Sequence, residues 1–148
     1  SDPAQRARLW QGRKKAFGAM GRISPDLRIQ DAVVPRSALP DILEHVDQIA
    51  EKYSLSICNV FHAGDGNLHV VLAGDPKNKK EWNRLEEIND QIVTRAVEVG
   101  GTCTGEHGIG IGKRKFMELE HGQSYHLMRQ IKELVDPKGL LNPGKIFL

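Results

Sequence analysis

Apolar residues recur at steps of three and four in two central segments of the chain, and they predict two amphipathic helices. The first covers residues 39–53, with Ser37 in position to cap its N-terminus. The second follows a loop at residues 75–80 and ends at Gly100-Gly101, since glycine permits the left-handed conformation common at helix C-termini. The inward stripes are Leu39, Ile42, Leu43, Val46, Ile49, Ala50 and Tyr53 in the first helix, and Trp82, Leu85, Ile88, Ile92, Ala96 and Val99 in the second.

Short β-rich runs alternate with these two helices. Residues 32–34 are expected to form a first strand, and residues 55–61 and 68–73 to form a hairpin around the turn sequence Gly-Asp-Gly-Asn at 64–67. Residues 102–104 are short and compatible with a last strand. The order β-α-β-β-α-β is typical of the split βαβ, or ferredoxin-like, fold. We therefore predict an α+β fold with a four-stranded antiparallel sheet and two helices on one face.

Helices are also expected at both ends of the chain, flanking the sheet. A basic helix should cover residues 3–20, and a short helix residues 113–119. A last helix should begin with Ser124 as its cap and stop at Asp136-Pro137. Its inward residues are predicted to be Leu127, Met128, Ile131, Leu134 and Val135.

Composition narrows the class of protein. A length of 148 residues fits a single domain, and 39% hydrophobic residues with 21 Lys and Arg against 19 Asp and Glu exclude a disordered chain. The longest stretch without Asp, Glu, Lys or Arg covers residues 53–64, too short to span a bilayer. Two separate cysteines favour a reducing, cytoplasmic location. The net charge of +2 and the few aromatic residues among the basic ones argue against nucleic-acid binding.

Candidate chemistry collects in two segments. His62 and His69 flank the hairpin turn and are expected roughly opposite each other, close enough for both imidazoles to reach one metal ion. Glu106 and His107 follow the last strand of the same sheet, so either one can approach this pair. Two histidines and one carboxylate form a ligand set with positions left open, and the remaining residue is a candidate base. The alternative is that the two histidines are ordinary surface residues.

The glycine-rich loop at 105–112 does not fit a nucleotide-binding loop. His107 stands where a phosphate-binding loop needs glycine, and Arg114 stands where it needs Ser or Thr. We therefore expect no nucleotide at this loop.

Three motifs in order resemble the C-terminal part of FAD-linked oxidases of the vanillyl-alcohol oxidase type. They are HAGDGNLH at 62–69, GGTCTGEHGIG at 100–110 followed by Lys113 and Met117, and VDPKGLLNPGKIF at 135–147. Within that family, residues 9–26 and 31–41 most resemble the flavin subunits of glycolate oxidases.

The resemblance implies a flavin-dependent oxidoreductase of D-2-hydroxy acids, such as glycolate, D-lactate or D-2-hydroxyglutarate, that passes a hydride to FAD. It assigns His107 as the base that takes the hydroxyl proton, Arg13 as a ligand of the substrate carboxylate, and Asn142 as a cofactor contact. The metal ligands that it implies are His62, His69 and Glu106. Zinc suits this ligand set best, although manganese, iron and cobalt also accept it.

The resemblance also implies what accompanies the chain. Family members carry a larger N-terminal domain that holds most of the FAD, so residues 1–148 are expected to be a single-domain C-terminal fragment, inactive alone. Expected partners are that flavin domain, an iron–sulfur subunit and a second flavin-type subunit, through which the protein would lie peripherally at a membrane.

Two other functions follow from the residues alone. The chain could be a free-standing metal-binding or ligand-sensing module without catalysis. A metal-dependent hydrolase rests on the His₂Glu set only, and it lacks the helical His-Glu-x-x-His arrangement.

Overall fold

A computed structural model describes residues 2–24 and 26–147 of the chain. The strands are β1 (Asp26–Val33), β2 (Ile57–His62) and β3 (Asn67–Gly74). The helices are α1 (Pro3–Met20), α2 (Leu39–Tyr53), α3 (Lys79–Glu98), α4 (Met117–His121) and α5 (Gln123–Val135), with 3₁₀ turns at Arg36–Ala38 and Arg114–Phe116. This α+β architecture, an antiparallel sheet with flanking helices, confirms the predicted fold class.

The sheet has the order β1-β3-β2, with both pairings antiparallel. The predicted fourth strand is reduced to one isolated bridge between Val33 and Thr102, on the free side of β1 where that strand was expected. The bridge does not extend because the next residues turn away from the backbone of β1. From Thr104 to His107 they donate hydrogen bonds to the side chain of Asp31 instead.

The main core lies between one face of the sheet and the helices α2 and α3. Alternation along β3 directs every second side chain into this core, because successive residues of a strand point to opposite faces. The predicted stripes of both helices supply the other half. The buried core residues are Ala32, Val34, Ile42, Val46, Ile49, Leu68, Val70, Leu72, Leu85, Ile88, Ile92 and Ala96.

A second, smaller cluster anchors the segment after the bridge. Cys103 and Phe116 are buried against Val93 of α3, and Ile109 packs at its edge. The two cysteines, Cys58 and Cys103, are both free thiols. This cluster holds both ends of the glycine-rich loop and leaves residues 105–108 exposed.

Several predicted boundaries are wrong in instructive ways. β1 begins at Asp26, six residues before the predicted start, because all eight of its residues pair with β3 despite their polar side chains. Ser37 does not cap α2, since it lies inside a 3₁₀ turn and Ala38 occupies the cap position. Ser124 does not cap α5, which has Gly122 as its N-cap residue.

The predicted inward stripe of α5 is also wrong. Leu134 is 81% exposed, and Leu127, Ile131 and Val135 are exposed as well. The helix instead buries Tyr125, which lies beside Phe147 of the tail with a ring-centroid distance of 5.7 Å. The pattern correctly identifies an apolar side of the helix, but the described residues do not cover that side.

The N-terminal helix α1 has the predicted bounds, and Met20 is its buried residue. Among the described residues, no helix is long and apolar enough to cross a membrane.

Candidate metal centre

The two histidines of the hairpin lie on the sheet face opposite α2 and α3. His62 ends β2 and pairs with Asn67, whereas His69 of β3 pairs with Val60. Because Val60 and His62 are two residues apart, both imidazoles stand on the same face, with ring centroids 5.6 Å apart. The prediction placed them roughly opposite each other, but they are diagonal neighbours. The turn spans residues 63–66, so His62 pairs with Asn67 instead of His69.

Glu106 completes the predicted set of three ligands. Its Oε1 lies 3.2 Å from Nε2 of His69. One donor atom from each of His62, His69 and Glu106 lies within 4.8 Å of the other two. Residues from β2, β3 and the glycine-rich loop therefore converge at one point.

His107 lies beside this cluster, with its imidazole stacked on that of His69. Their ring centroids are 5.2 Å apart and the planes are inclined by 19°. The His107 side chain is exposed, so one side of the ring faces the space above the sheet. An exposed imidazole next to a candidate metal site is suitably placed to accept a proton from a bound molecule.

Asp31 is the residue of the site that the sequence analysis missed. It lies on β1 opposite His69 and is fully buried. Its Oδ2 accepts four hydrogen bonds: one from the Thr104 hydroxyl at 2.9 Å, and backbone N–H bonds from Gly105, Glu106 and His107 at 2.8, 3.0 and 2.9 Å. One carboxylate oxygen thus fixes the backbone that carries both Glu106 and His107.

Lys113 supplies the buried positive charge near this carboxylate. Its Nζ donates a hydrogen bond to the backbone oxygen of Asp31 and lies 3.6 Å from Oδ2. Burial lowers the pKa of the lysine, and the nearby Asp31 carboxylate opposes that shift. The pair keeps the negative charge of Asp31 compensated inside the protein.

The electrostatics favour a charged carboxylate at Asp31 and a neutral imidazole at His69. Burial alone raises the pKa of Asp31, but the hydrogen bonds from His107, Gly105, Glu106 and Thr104 outweigh it and hold the pKa well below its usual value. Burial lowers the pKa of His69, although Asp31 and Glu106 act in the opposite direction. His69 is therefore neutral at pH 7, which is the form that binds metals.

Two unsatisfied polar atoms mark the inner side of the cluster. Oδ1 of Asp31 and Nδ1 of His69 are buried and have no hydrogen-bond partner. They face each other at 3.8 Å. A second group of donor atoms, from Asp31, His69 and His107, also lies within 4.8 Å of one another. The mixed nitrogen and oxygen donors around His69 fit a divalent metal such as zinc.

The start of the loop requires glycine at position 105, because there is no space there for a side chain. A Cβ added there would lie 2.7 Å from Oδ1 of Asp31 and 2.8 Å from Nδ2 of Asn67. Both side chains are buried, so neither can move aside freely. The close approach of the loop to β1 thus depends on the absence of a side chain at this position.

An open cavity of about 190 Å³ adjoins the cluster on the same face. Its lining is apolar apart from His69 and His107, and the apolar residues are Phe17, Ile29, Val60 and Val71. Arg13 lies one helical turn before Phe17 on α1 and is exposed. Residues four apart share a helix side, so Arg13 lies on the side of α1 that bears Phe17.

Asn142 lies in the C-terminal tail. It is exposed and has a left-handed backbone with φ 47°. The tail is tied to the glycine-rich loop by a hydrogen bond from the Ile146 N–H to the Gly110 carbonyl at 2.9 Å, and by one from Arg114 to the Gly144 carbonyl at 3.1 Å. Asn142 therefore lies in a tail segment that is bonded to the glycine-rich loop region through Gly144 and Ile146.

Comparisons with known proteins place the chain in a family. The family model described as "FAD linked oxidases, C-terminal domain" matches residues 1–146. The chain is 46% identical over 145 residues to the glycolate oxidase subunit GlcD of Escherichia coli K12, covering 97% of the chain and 29% of that protein. It is 41% identical over 140 residues to GlcD of Bacillus subtilis, covering 94% and 30%.

A mitochondrial D-lactate dehydrogenase [cytochrome] of Arabidopsis thaliana is 36% identical over 148 residues, covering 98% of the chain and 26% of that protein. The chain therefore spans less than a third of the length of the curated relatives that it matches.

Proposed function

The chain belongs to the C-terminal domain family of the FAD-linked oxidases, and from that premise we propose that it supplies the metal centre and the catalytic base of a flavin-dependent 2-hydroxy-acid oxidoreductase. The observation that carries this proposal is the convergence of His62, His69 and Glu106 within 4.8 Å, with His107 stacked beside them. The similarity to glycolate oxidase subunits and to a D-lactate dehydrogenase supports a small 2-hydroxy acid as substrate.

His62, His69 and Glu106 would hold the metal. Neutral His69 is buried, while Glu106 and His62 are exposed, so a metal on these donors lies where a substrate can reach it. Zinc fits two imidazoles and one carboxylate with a position left open. When bound, a divalent metal polarises a coordinated hydroxyl and lowers its pKa.

His107 takes the proton of the substrate hydroxyl as the carbon–hydrogen bond at C2 breaks. FAD, when bound, would supply the acceptor for the hydride from C2, so that the hydroxy acid would lose two electrons and two hydrogens and become a 2-oxo acid. Stacking on His69 fixes the ring plane of His107, and the backbone bond to Asp31 fixes its Cα. A base held in this way can transfer a proton without first being reoriented.

Arg13 binds the substrate carboxylate in this proposal. A guanidinium matches a carboxylate in a bidentate arrangement, and α1 brings its Phe17 side to the cavity beside His107. The apolar wall of Ile29, Val60 and Val71 then receives the side chain of the substrate. Asn142 contacts the flavin from the tail, which is held against the glycine-rich loop.

FAD is held by a domain outside residues 1–148 in this proposal, because the relatives are more than three times as long as the matched region. The chain is then a single C-terminal domain that binds flavin poorly and is inactive alone. The similarity to GlcD supports a glycolate oxidase complex as its setting, with iron–sulfur and second flavin-type subunits as partners.

Metal analysis of the purified chain tests the proposed ligands. Elemental analysis after zinc loading should give near-stoichiometric metal in the wild type and a strong loss in His62→Ala and in Glu106→Ala. His126→Ala is a matched control, because His126 is an exposed histidine of α5 outside both donor groups. Equal metal content in the wild type and in both ligand variants would overturn the assignment.

Kinetics of the full-length oxidoreductase test the proposed base. His107→Asn should lower kcat by about 10²- to 10⁴-fold, the range for loss of a general base. Its metal content should not change, because the three proposed ligands are intact. Metal binding without turnover in the full-length wild type would favour the free-standing binding module.

A further inference from the structure

We propose that Asp31 is a positioning residue of the metal centre, which holds the Nδ1 proton of His69 and thereby presents Nε2 to His62 and Glu106. The proposal rests on the proposed metal centre for its functional meaning. It assigns Asp31 a task beyond the fold, since Asp31 touches neither the substrate nor, in this arrangement, the metal.

The geometry around His69 divides its two nitrogens between two carboxylates. Nε2 lies 3.2 Å from Oε1 of Glu106, whose side chain is 55% exposed. Nδ1 lies 3.8 Å from Oδ1 of Asp31, whose side chain is 0% exposed. Because the Glu106 carboxylate is exposed and the Asp31 carboxylate is buried, an accessible metal belongs on Nε2 and the proton on Nδ1.

The unsatisfied atoms support the same division. Oδ1 of Asp31 and Nδ1 of His69 are both buried without a hydrogen-bond partner, and they lie 3.8 Å apart. A buried polar atom without a partner is costly, and a slight rotation of the imidazole satisfies both atoms at once. Metal-bound histidines commonly donate their other ring N–H to a carboxylate, which fixes the tautomer and the ring orientation.

The other oxygen of Asp31 explains why this residue suits the task. Oδ2 already accepts bonds from Thr104, Gly105, Glu106 and His107, so the carboxylate cannot rotate freely. Lys113 adds a positive charge near Oδ2 and a hydrogen bond to the Asp31 carbonyl. One buried carboxylate thus positions the backbone of the ligand Glu106, the backbone of the base His107 and the ring of His69.

The alternative is that Asp31 is itself a ligand, together with His69 and His107. That arrangement would place the metal on the interior side of His69, and it would use the exposed base as a ligand. It makes the opposite prediction for His69, because a metal on Nδ1 leaves the proton on Nε2.

The tautomer of His69 in the wild-type chain is the first test. Long-range ¹H–¹⁵N correlation spectra at pH 8, without metal and with one equivalent of Zn²⁺, report which ring nitrogen carries the proton. His69 is assigned by comparison with His69→Gln. The expected result is the Nδ1–H form in both spectra. The Nε2–H form in either spectrum would overturn the proposal.

Asp31→Asn is the matching variant. Its amide oxygen can still accept the four bonds of the loop, but its NH₂ group then faces Nδ1 and forces the proton of His69 onto Nε2. We expect the Nε2–H tautomer and a loss of Zn²⁺ affinity of about 10- to 100-fold, the range for loss of an outer-shell partner of a metal-bound histidine. An unchanged tautomer and affinity in a folded variant would overturn the proposal.

Thr104→Val separates orientation of His69 from anchoring of the loop. It removes one bond to Oδ2 and leaves Oδ1 and His69 untouched. The tautomer should stay Nδ1–H, and the affinity should fall much less than in Asp31→Asn. Equal losses in both variants would assign Asp31 to loop anchoring alone and overturn the proposal.

The two proposals fail in distinguishable ways. If the wild type binds no Zn²⁺, the proposed metal centre fails, whereas the tautomer of the metal-free chain still decides the role of Asp31. If Asp31→Asn does not fold, the two wild-type spectra decide it.

Discussion

The two faces of the three-stranded sheet differ in what they do with their side chains. On the face toward α2 and α3, the β3 residues Leu68, Val70 and Leu72 are at most 1% exposed and lie in a closed apolar core. On the other face, His69 of the same strand meets Asp31, and a cavity opens beside Val71. Three buried atoms on this face, Oδ1 of Asp31, Oδ1 of Asn67 and Nδ1 of His69, lack hydrogen-bond partners.

The difference shows how one strand can serve stability and chemistry together. Because side chains alternate along β3, the apolar residues of the main core point away from His69 and the residues of the site. Apolar burial in the core offsets the free-energy cost of the unsatisfied polar atoms around His69. Substitutions on the two faces should therefore act on different properties.

The largest effect on stability is expected on the closed face. Leu72→Ala should lower the free energy of unfolding by about 2–5 kcal/mol, because it leaves a cavity in a fully packed core. Urea unfolding measures this loss, and zinc titration should show the affinity of the folded fraction unchanged. A parallel loss of zinc affinity would break the separation between the two faces.

The second largest effect is expected at Asp31. Asp31→Asn should lower the free energy of unfolding at pH 7 by about 1.5–3 kcal/mol, because four bonds lose their charged acceptor. The folded chain holds the pKa of Asp31 below the ordinary value of 3.8, so the unfolded chain takes up the proton first as the pH falls. The stabilisation by Asp31 is thus complete above about pH 4 and is lost toward the lower pKa of the folded state.

Unfolding of both proteins as a function of pH measures this dependence. The difference between wild type and Asp31→Asn should be constant near neutral pH and should narrow below about pH 4. A difference that grows as the pH falls would contradict the assigned direction of the pKa shift.

Hydrophobic periodicity predicted the helices of the closed face well, because their periodic apolar residues are the ones that are buried. The bounds of α2 follow from its stripe, and the stripes of α2 and α3 fill one core. It failed for α5, where the pattern is equally clear but none of the described residues buries the apolar side. A stripe shows that a helix has an apolar side, and only tertiary structure shows what that side meets.

On the open face, the sequence indicated some of the clustered residues through their residue types and not through periodicity. The histidines and Glu106 stand out because such residues beside glycines are typical of a site. Asp31 was missed because it lies in a strand, between Gln30 and Ala32, where nothing nearby in the sequence indicates its partners. The available signal was an acidic residue directly before the apolar run at 32–34, where the predicted first strand begins.

An intermediate effect is expected where the glycine-rich loop meets β1. Gly105→Ala places a Cβ 2.7 Å from Oδ1 of Asp31, so we expect a loss of about 1–3 kcal/mol from overpacking. Unlike Leu72→Ala, it should also weaken zinc binding, because the loop carries Glu106. Gly108→Ala is a poor control, since Gly108 has a positive φ of 80°. Gly112→Ala is a better one, because a Cβ there meets nothing within 4 Å.

The smallest effect should come from Val71→Ala, and its neighbour Val70 offers the sharpest comparison of the two faces. Both valines are at most 1% exposed, but Val70 lies in the closed core, whereas Val71 lines the cavity. Val71→Ala removes about two buried carbon groups worth about 0.8 kcal/mol each, which predicts a loss of about 1–2 kcal/mol. Val70→Ala should cost more, because its core has no existing opening and a new void must form. Urea unfolding of the two variants side by side decides the matter. Equal losses would mean that the cavity side is packed as tightly as the core, and that the two faces differ in polarity alone.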